Sequence, residues 1–162
     1  MIRRARIEDI ETVMSIFRGA IKFMRASGNF EQWSNGYPSR EVILQDIESG
    51  NLYVEESGDG DISGVFAFIL GNDPTYSSIE GSWLNSKPYG TIHRIASTGQ
   101  PPKFSDRCFS FCFNFIENLR IDTHQDNLPM RRALDRNGFT YCGVIHLADG
   151  SPRLAYQKVV KR

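Results

Sequence analysis

The sequence predicts an α/β fold in which helices flank a mixed β-sheet. Apolar residues recur at helical spacing over residues 10–24, whereas short apolar runs rich in β-branched and aromatic residues cover residues 52–56 and 62–70. The predicted elements follow the order strand, two helices, three strands, helix, strand, helix and two strands. Because helices interrupt the strands in this order, the sheet must be mixed, with helices on its faces.

Two helices are predicted in the first half of the chain, after a short strand over residues 2–7. Asp9 offers an N-cap oxygen to the first helix, and a stop signal begins at Ser27. Residues 30–38 are rich in polar residues and predict a loop. Ser39 is the expected cap of the second helix, which continues until Gly50.

The middle of the chain predicts a β-hairpin, an irregular segment and a further strand. Residues 52–56 and 62–70 flank a turn rich in glycine and polar residues, which is typical of a hairpin. Residues 71–87 are polar and rich in turn signals, so we expect irregular structure there. Residues 89–97 return to the pattern of a strand.

The phenylalanine-rich segment after residue 104 is ambiguous by periodicity. Alternate residues from Phe109 to Phe115 are aromatic, as in a strand, but a second apolar set lies at helical spacing. This second set comprises Phe104, Cys108, Phe111, Cys112, Phe115 and Leu119. A length of about a dozen residues exceeds that of a typical strand and favours a helix.

The last third of the chain predicts a strand, a helix and two final strands. The strand covers residues 119–123, and the helix after it is capped by Asp126 or Asn127. Pro129 is tolerated in the first turn of this helix, and Asn137-Gly138 ends it. The final strands lie over residues 139–147 and 153–160.

Bulk composition indicates one cytoplasmic domain. The 162 residues balance 19 basic against 19 acidic side chains, so no global field attracts nucleic acid or an anionic membrane. The longest apolar run, residues 65–70, is far shorter than the roughly 18 residues of a membrane span. The charged N-terminus precedes no apolar segment, so a secretory signal is not supported. Three cysteines suit a reducing compartment.

A candidate ligand-binding turn lies between the strand over residues 89–97 and the helix after it. Its sequence is Gln100-Pro-Pro-Lys-Phe-Ser105. A turn that opens a helix directs backbone N–H groups and the positive helix end toward an anion. A phosphate-bearing ligand is therefore the first hypothesis. Two further motifs follow downstream, Asp126-Asn-Leu-Pro-Met130 and Asn137-Gly-Phe139.

With these motifs and this element order, essentially the whole chain resembles the GNAT superfamily of acyl-CoA-dependent N-acetyltransferases. The phosphate turn of that family reads Gln/Arg-x-x-Gly-x-Gly/Ala. Gln100 keeps the first position, whereas Lys103 replaces the first glycine and Ser105 replaces the glycine or alanine. The resemblance implies a mixed sheet with splayed parallel strands and acetyl-CoA as the acyl donor.

The resemblance also implies which residues bind the donor. In the family, the pantetheine chain adds to the sheet like a strand, which would here involve the backbone of Ile95, Ala96 and Ser97. An asparagine at the place of Asn127 bonds the pantetheine arm. The full set of implied cofactor-binding residues is Ile95, Ala96, Ser97, Gln100, Lys103, Phe104, Ser105, Asn127 and Met130.

Transfer of an acetyl group to an amine requires a base and a donor of a proton to the leaving sulfur. His93 is the leading candidate for the base, because imidazole titrates near working pH and its strand leads into the ligand turn. Glu31 and Asp122 follow. The usual tyrosine acid of the family falls on Leu134. Tyr141, or a water molecule, is therefore the candidate acid.

Aromatic residues suggest where the acceptor would bind. Trp33, Tyr37 and Trp83 could shape a pocket for an amine, and the nearby carboxylate of Glu31 would suit the charge of that amine. Trp33 and Tyr37 could equally be an apolar plug over the two helices. We expect a small-molecule or peptide amine as partner, neither nucleic acid nor membrane, and an edge strand over residues 154–160 that could pair two subunits.

Metal binding is not predicted. Cys108 and Cys112 lie four residues apart, but no histidine or second cysteine pair follows at the spacing of a metal site. Core packing explains both cysteines. His124 and Asp126 suit a strand end beside a helix cap.

The sequence therefore predicts an enzyme that moves an acetyl group from acetyl-CoA to a primary amine. A second hypothesis belongs to a different class. Because the phosphate turn and the acid depart from the family pattern, the same fold could be a non-catalytic domain that binds or senses acyl-CoA or another ligand. Release of CoA from acetyl-CoA in the presence of amines distinguishes the two.

Overall fold

The computed structural model describes residues 1–161. The chain divides into two compact units. Unit 1 consists of Met1–Phe68 and Arg94–Phe104, and unit 2 consists of Ile69–His93 and the residues from Ser105 onward.

Unit 1 contains two helices and an antiparallel ladder. Its elements are β1 (Ile2–Arg4), α1 (Ile10–Ala26), α2 (Arg40–Glu48), β2 (Leu52–Glu56) and most of β3 (Ile62–Leu70). β1 pairs with β2, and β2 pairs with β3, both antiparallel. The predicted hairpin over these last two strands is present.

The apolar stripe of α1 forms much of the core of unit 1. Val13 and Phe17 are fully buried, and they belong to one cluster with Ile43 of α2, Val54 of β2 and Val65 of β3. Helical spacing puts the α1 residues on one face, and strand alternation supplies the facing apolar groups. Burial of these side chains supplies the main stabilisation of this unit.

The ends of the two helices follow local chemistry. The Ser39 hydroxyl accepts a hydrogen bond from the Val42 backbone N–H, as predicted for the cap of α2. The carboxylate of Asp9 does not cap α1. It accepts instead from the Arg3 guanidinium and from the Arg6 backbone N–H, because residues 7–9 form a short 3-10 helix where the strand was expected to continue.

Unit 2 contains the mixed part of the sheet. Its elements are β4 (Glu80–Gly81), the start of β5 (Gly90–Ser97), α3 (Phe104–Cys112) from Ser105, β6 (Asn118–Thr123), α4 (Leu128–Arg136), β7 (Thr140–His146) and β8 (Pro152–Val159). The strand order is β5-β6-β8-β7-β4. β5 and β6 are parallel, and the other neighbours are antiparallel.

The ambiguous phenylalanine-rich segment forms a helix, α3, as its length predicted. Cys108 and Cys112 are fully buried thiols, which agrees with a packing role. The described residues contain no group of three or more potential metal-ligating side chains. None of the described helices combines the length and the apolar character needed to cross a bilayer.

The predicted motif before α4 is a helix cap. The side chain of Asn127 accepts a hydrogen bond from the Met130 backbone N–H at 3.3 Å. Pro129 lies in the first turn, where its missing N–H costs no hydrogen bond. Gly138 has a φ of 78° and allows the chain to leave the helix.

One face of the sheet in unit 2 is polar. Arg120 pairs with Thr91 on one side and with Gln157 on the other, so these three side chains share a face. Gln157 donates to Asn118 at 2.7 Å, and Asn118 donates to Asn85 at 2.9 Å. These buried amides hold the segment around Asn85 against the sheet.

The segment over residues 71–87, predicted to be irregular, contains two short elements. Pro74–Tyr76 forms a turn of 3-10 helix, and β4 pairs with β7. Gly81 and Gly143 face each other in this ladder, and a Cβ on either one would overlap the opposing backbone. The two-residue length of β4 explains why alternation could not reveal it.

Candidate active site

The parallel strands β5 and β6 part within unit 2. Their ladder joins Gly90 to Leu119 and Thr91 to Arg120, and the pairing of the described residues stops there. β6 nevertheless continues to Thr123. The predicted splay of the parallel strands is therefore present. His93 and Asp122 follow the last pair by two residues and lie on its face.

His93 is held by a carboxylate. Its Nε2 lies 2.8 Å from Oδ2 of Asp73. The other oxygen of Asp73 accepts from the Thr75 backbone N–H at 2.9 Å and from the Thr75 hydroxyl at 2.6 Å. Because Nε2 contacts the carboxylate, Nδ1 is the ring nitrogen suited to exchange a proton with a ligand.

The charge of Asp73 is stabilised by these contacts. Burial alone would raise the pKa of the carboxyl, but hydrogen bonds from His93 and Thr75 outweigh it and lower the pKa to about 2. Asp73 is therefore ionised at neutral pH. The hydroxyl of Tyr89 also accepts a hydrogen bond from the Asp73 backbone N–H at 2.8 Å, which fixes the aspartate further.

A tyrosine contacts the second acidic residue on this face. The buried hydroxyl of Tyr76 donates to Oδ1 of Asp122 at 2.6 Å. The ring centroids of Tyr76 and His93 are 6.2 Å apart, so the phenol ring lies beside the imidazole. Burial, together with the charge of Asp122, raises the pKa of Tyr76 well above its usual range. The phenol therefore remains a hydrogen-bond donor.

Arg120 lies between two aromatic rings. Its guanidinium carbon is 4.1 Å from the ring centroid of Trp83 and 4.0 Å from that of Tyr89. Burial lowers the pKa of Arg120, and cation–π contacts with both rings stabilise its charge. Trp83 was predicted to bind the acceptor. Its ring instead stacks on Arg120 within unit 2, and its indole N–H donates a hydrogen bond to the Tyr76 carbonyl.

The turn predicted to bind phosphate has a glycine-like backbone in unit 1. Lys103, which replaces the first glycine of the family pattern, has a φ of 64°, in the left-handed region that favours glycine. α3 begins at the next residue. The Thr98 backbone N–H donates to the Ser63 carbonyl at 2.9 Å, which ties the start of the turn to β3.

The ring of Phe104 packs on the backbone of β3. A Cβ added to Gly64 would overlap that ring, so only glycine allows this approach. Phe104 is buried and also contacts Phe66, with ring centroids 6.0 Å apart. The side chain of Phe104 is therefore a packing group, and only its backbone is available to a ligand.

The second half of β5, in unit 1, does not follow simple strand alternation. Strand alternation would put His93, Ile95 and Ser97 on one face, but Arg94 has a φ of 52°, which breaks the extended conformation. Ala96 is buried in the core of unit 1. The kink at Arg94 therefore changes which backbone groups of residues 95–97 are presented to a ligand.

The loop over residues 30–38 packs largely on unit 1. The ring of Trp33 contacts Phe17 edge to face, with centroids 5.5 Å apart, and this favours the plug over the pocket. Tyr37 is partly exposed, and its hydroxyl accepts from Arg94. Glu31, the second candidate base, lies exposed in the same loop.

Tyr141, the candidate acid, lies away from His93. It pairs with Tyr156, which pairs with Ile121, so all three are on the face opposite to Arg120 and Asp122. The structure therefore does not bring Tyr141 together with His93. Leu134, at the position of the usual tyrosine of the family, is fully buried.

Asp73 was not singled out from the sequence as a site residue. Asp73 precedes Pro74 and caps the short 3-10 helix, with its side chain accepting from Thr75 N–H. An aspartate before a proline is a recognisable start signal, and it was the one available clue. Tyr76 lies in the segment that was interpreted as irregular.

Solved structures match the whole chain. An acetyltransferase of the GNAT family from Streptococcus agalactiae is 33% identical, with a TM-score of 0.90 and coverage of 100% of this chain and 96% of that one. A GNAT acetyltransferase from Listeria monocytogenes is 19% identical, with a TM-score of 0.74 and coverage of 99% and 94%. A protein from Staphylococcus aureus described as a putative acetyltransferase is 22% identical, with a TM-score of 0.75 and coverage of 99% of both chains.

No protein-family model matches the sequence, and no curated protein matches it. The match at 33% identity along the full length nevertheless shows the family, whereas the two weaker matches show the fold alone. The chain belongs to the GNAT family of acetyltransferases. Both the resemblance found in the sequence and the predicted fold class are confirmed.

Proposed function

We propose that the protein transfers an acetyl group from acetyl-CoA to a primary amine of a small molecule or peptide, with His93 as general base. The observation that carries this proposal is the hydrogen bond of 2.8 Å between His93 and Asp73, just beyond the last pair of the β5–β6 ladder. An ionised carboxylate on one ring nitrogen orients the imidazole and favours proton uptake at the other.

The turn before α3 suits the diphosphate of the donor. The left-handed backbone of Lys103 reproduces the conformation that a glycine would adopt, and the first N–H groups of α3 follow directly. Pro101 and Pro102 contribute no N–H, so the positive charge of Lys103 supplements the backbone. We assign donor binding to Ile95, Ala96, Ser97, Gln100, Lys103, Phe104, Ser105, Asn127 and Met130.

Acetyl-CoA would supply the acyl group as a thioester, whose carbon–sulfur bond breaks as the carbon–nitrogen bond forms. His93 accepts a proton from the acceptor ammonium at Nδ1, which frees the amine lone pair for attack. The same proton on His93 is then available to the departing sulfur, which leaves as the thiol. The nitrogen loses its second proton to solvent as the amide forms, so the reaction consumes one ammonium and releases one proton, while Asp73 stays ionised throughout.

The two acidic residues of this cluster, Asp73 and Asp122, favour an amine as acceptor. Asp73 and Asp122 both contact aromatic residues of unit 2, and a protonated amine is attracted to carboxylates flanked by rings. Trp83 belongs to the same cluster through its contacts with Tyr76 and Arg120. The partly exposed Tyr37 remains our candidate for contact with the distal part of the acceptor.

The test is release of free thiol from acetyl-CoA across a panel of primary amines. We expect turnover with the wild type and a loss of about 100-fold in kcat for His93→Gln, the usual scale for a general base. His146→Gln is the matched control, because His146 is exposed on β7. A His93→Gln variant with full kcat would contradict the assignment of the base.

Thermal denaturation with CoA separates the remaining outcomes. A rise in Tm with CoA but no turnover with any amine would support the non-catalytic binding domain and overturn the enzyme. Absence of any rise would overturn both. Because ligand that binds only the folded state must stabilise it, saturating CoA gives a sensitive readout.

A further inference from the structure

The strand β5 contains a residue whose backbone is not extended. Arg94 has a φ of 52°, although residues on both sides of it belong to the strand. L-residues with a side chain avoid this region, because Cβ approaches the carbonyl oxygen. Such a conformation persists where surrounding contacts enforce it, and it is a recognised marker of functional positions.

The side chain of Arg94 forms a buried ion pair in unit 1. Nε of Arg94 lies 2.7 Å from Oδ2 of Asp46, and Nη2 lies 2.8 Å from Oδ1, so the carboxylate is bound by two parallel hydrogen bonds. The two side chains are only 12% and 10% exposed. The third nitrogen, Nη1, donates to the hydroxyl of Tyr37 at 2.9 Å.

The partner helix is itself fixed. Asp46 lies on α2, whose first turn is capped by Ser39, and Ile43 of the same helix is fully buried in the core of unit 1. A planar guanidinium bound at two points cannot rotate freely. The contact with α2 therefore fixes the orientation of the Arg94 side chain.

We propose that Asp46 is a positioning residue for acyl-CoA: through Arg94 it holds the kink in β5, and the kink directs the N–H and C=O groups of Ile95 to Ser97 toward the pantetheine. This inference rests on the proposed function, because acyl-CoA is the ligand it concerns. An unkinked strand would present alternate groups of this segment instead.

A second ion pair in unit 1 provides the matched comparison. Arg3 and Asp9 lie 2.8 Å apart with side chains 13% and 11% exposed, which nearly equals the burial of the Arg94–Asp46 pair. Arg3 is not among the residues with a positive φ. Asp9→Asn therefore removes a carboxylate of similar exposure from a paired arginine without changing a kink, although Arg3 keeps Glu56 as a second partner at 2.6 Å.

The first experiment compares Asp46→Asn with Asp9→Asn by calorimetric titration with CoA. We expect the Kd for CoA to rise about tenfold in Asp46→Asn and to stay within about twofold of the wild type in Asp9→Asn. With acetyl-CoA and an accepted amine, Asp46→Asn should raise KM for the donor and leave kcat within about threefold. Equal affinities in both variants would overturn the positioning role.

The second experiment isolates the backbone. The double variants Asp46→Asn/Arg94→Gly and Asp46→Asn/Arg94→Ala both remove the guanidinium, so neither leaves a buried unpaired charge. Glycine adopts a positive φ without a steric penalty, whereas alanine resists it. We expect the glycine variant to bind CoA about fivefold more tightly than the alanine variant.

The outcomes separate this inference from the proposed function. If the wild type binds CoA and turns over, but the two double variants bind CoA equally, the kink has no role in binding and the inference alone is overturned. If the wild type does not bind CoA, the proposed function fails, and the inference fails with it. A crystal structure of Asp46→Asn should show residue 94 with a negative φ.

Discussion

His93 and Arg94 are neighbours in β5, and each binds an aspartate, but the two pairs differ in exposure and in chemistry. The side chain of His93 is 24% exposed, whereas that of Arg94 is 12% exposed. Asp73, the partner of His93, lies 20 residues earlier in a turn, and Asp46, the partner of Arg94, lies 48 residues earlier in a helix.

The difference indicates separate roles for the two aspartates. An imidazole gains and loses a proton near neutral pH, so a carboxylate beside it influences proton transfer. A guanidinium keeps its charge at all accessible pH values, so a carboxylate bound at two points can only fix its geometry. One pair is suited to chemistry and the other to the shape of the strand.

The largest expected effect is on stability, from loss of the buried pair. Asp46→Asn should lower the free energy of unfolding by about 3 kcal/mol, because it leaves the buried guanidinium without a counter-charge. Asp73→Asn should cost about 1 kcal/mol, since an amide can still accept from Thr75. Urea denaturation measures both. Equal losses would remove the distinction between the two aspartates.

The second prediction concerns the packing of the Phe104 ring on Gly64 in unit 1. Gly64→Ala should lower the free energy of unfolding by about 2 kcal/mol, because the added methyl overlaps the ring of Phe104. Phe104→Leu in the same background should restore part of the loss. In the single variant Gly64→Ala, the KM for the acyl donor should rise while kcat stays at the wild-type value. A Gly64→Ala variant as stable as the wild type would show that the ring moves away without cost.

Loss of Asp73 should affect the rate rather than donor binding. Asp73→Asn should lower kcat about tenfold, because the imidazole loses the carboxylate that orients it and stabilises its protonated form. The Kd for CoA should be unchanged. Steady-state kinetics with titration by CoA tests this, and a variant with weaker CoA binding but normal kcat would reverse the roles given to Asp73 and Asp46.

The stability that Asp73 contributes should depend on pH. Its pKa is lowered from 3.8 to about 2, so its contribution is complete above pH 3.8 and is lost as the pH falls toward 2. The difference in Tm between the wild type and Asp73→Asn should therefore be largest above about pH 5 and should shrink below about pH 4. A difference that grows with acidity would contradict the sign of the shift.

The smallest expected effect is at the turn before α3. Lys103→Gly should raise the free energy of unfolding by about 0.5 kcal/mol, because relief of the left-handed strain slightly exceeds the entropic cost of glycine. Lys103→Ala should be less stable than Lys103→Gly. CoA should bind the glycine variant more weakly and with less dependence on salt, since the ammonium is lost.

The sequence predicted elements whose cause is local. The cap at Ser39, the helix after Asn127 and the helix form of the phenylalanine-rich segment all follow from neighbouring residues. The hydrogen bond between Tyr76 and Asp122 joins residues 46 positions apart and left no periodic signal. The kink at Arg94 was hidden as well, because arginine has no preference for a positive φ.

The candidate site residues also divide into those with a local signal in the sequence and those that depend on long-range contacts. His93 was found because imidazole chemistry is visible in a side chain, but its partner Asp73 was missed in a segment without periodicity. Tyr141 was proposed by its place after the helix, and the register of β7 puts it on the other face of the sheet. Strand register depends on long-range pairing, which a single sequence does not specify.

The chain has two tryptophans, and each unit contains one of them. Trp33 contacts Phe17 in unit 1, and Trp83 stacks with Arg120 in unit 2. Intrinsic fluorescence of Trp83→Phe therefore reports on unit 1, and that of Trp33→Phe reports on unit 2. Stopped-flow measurement of tryptophan fluorescence in these two variants during unfolding will show whether unit 1 and unit 2 unfold at the same rate, as one cooperative transition requires.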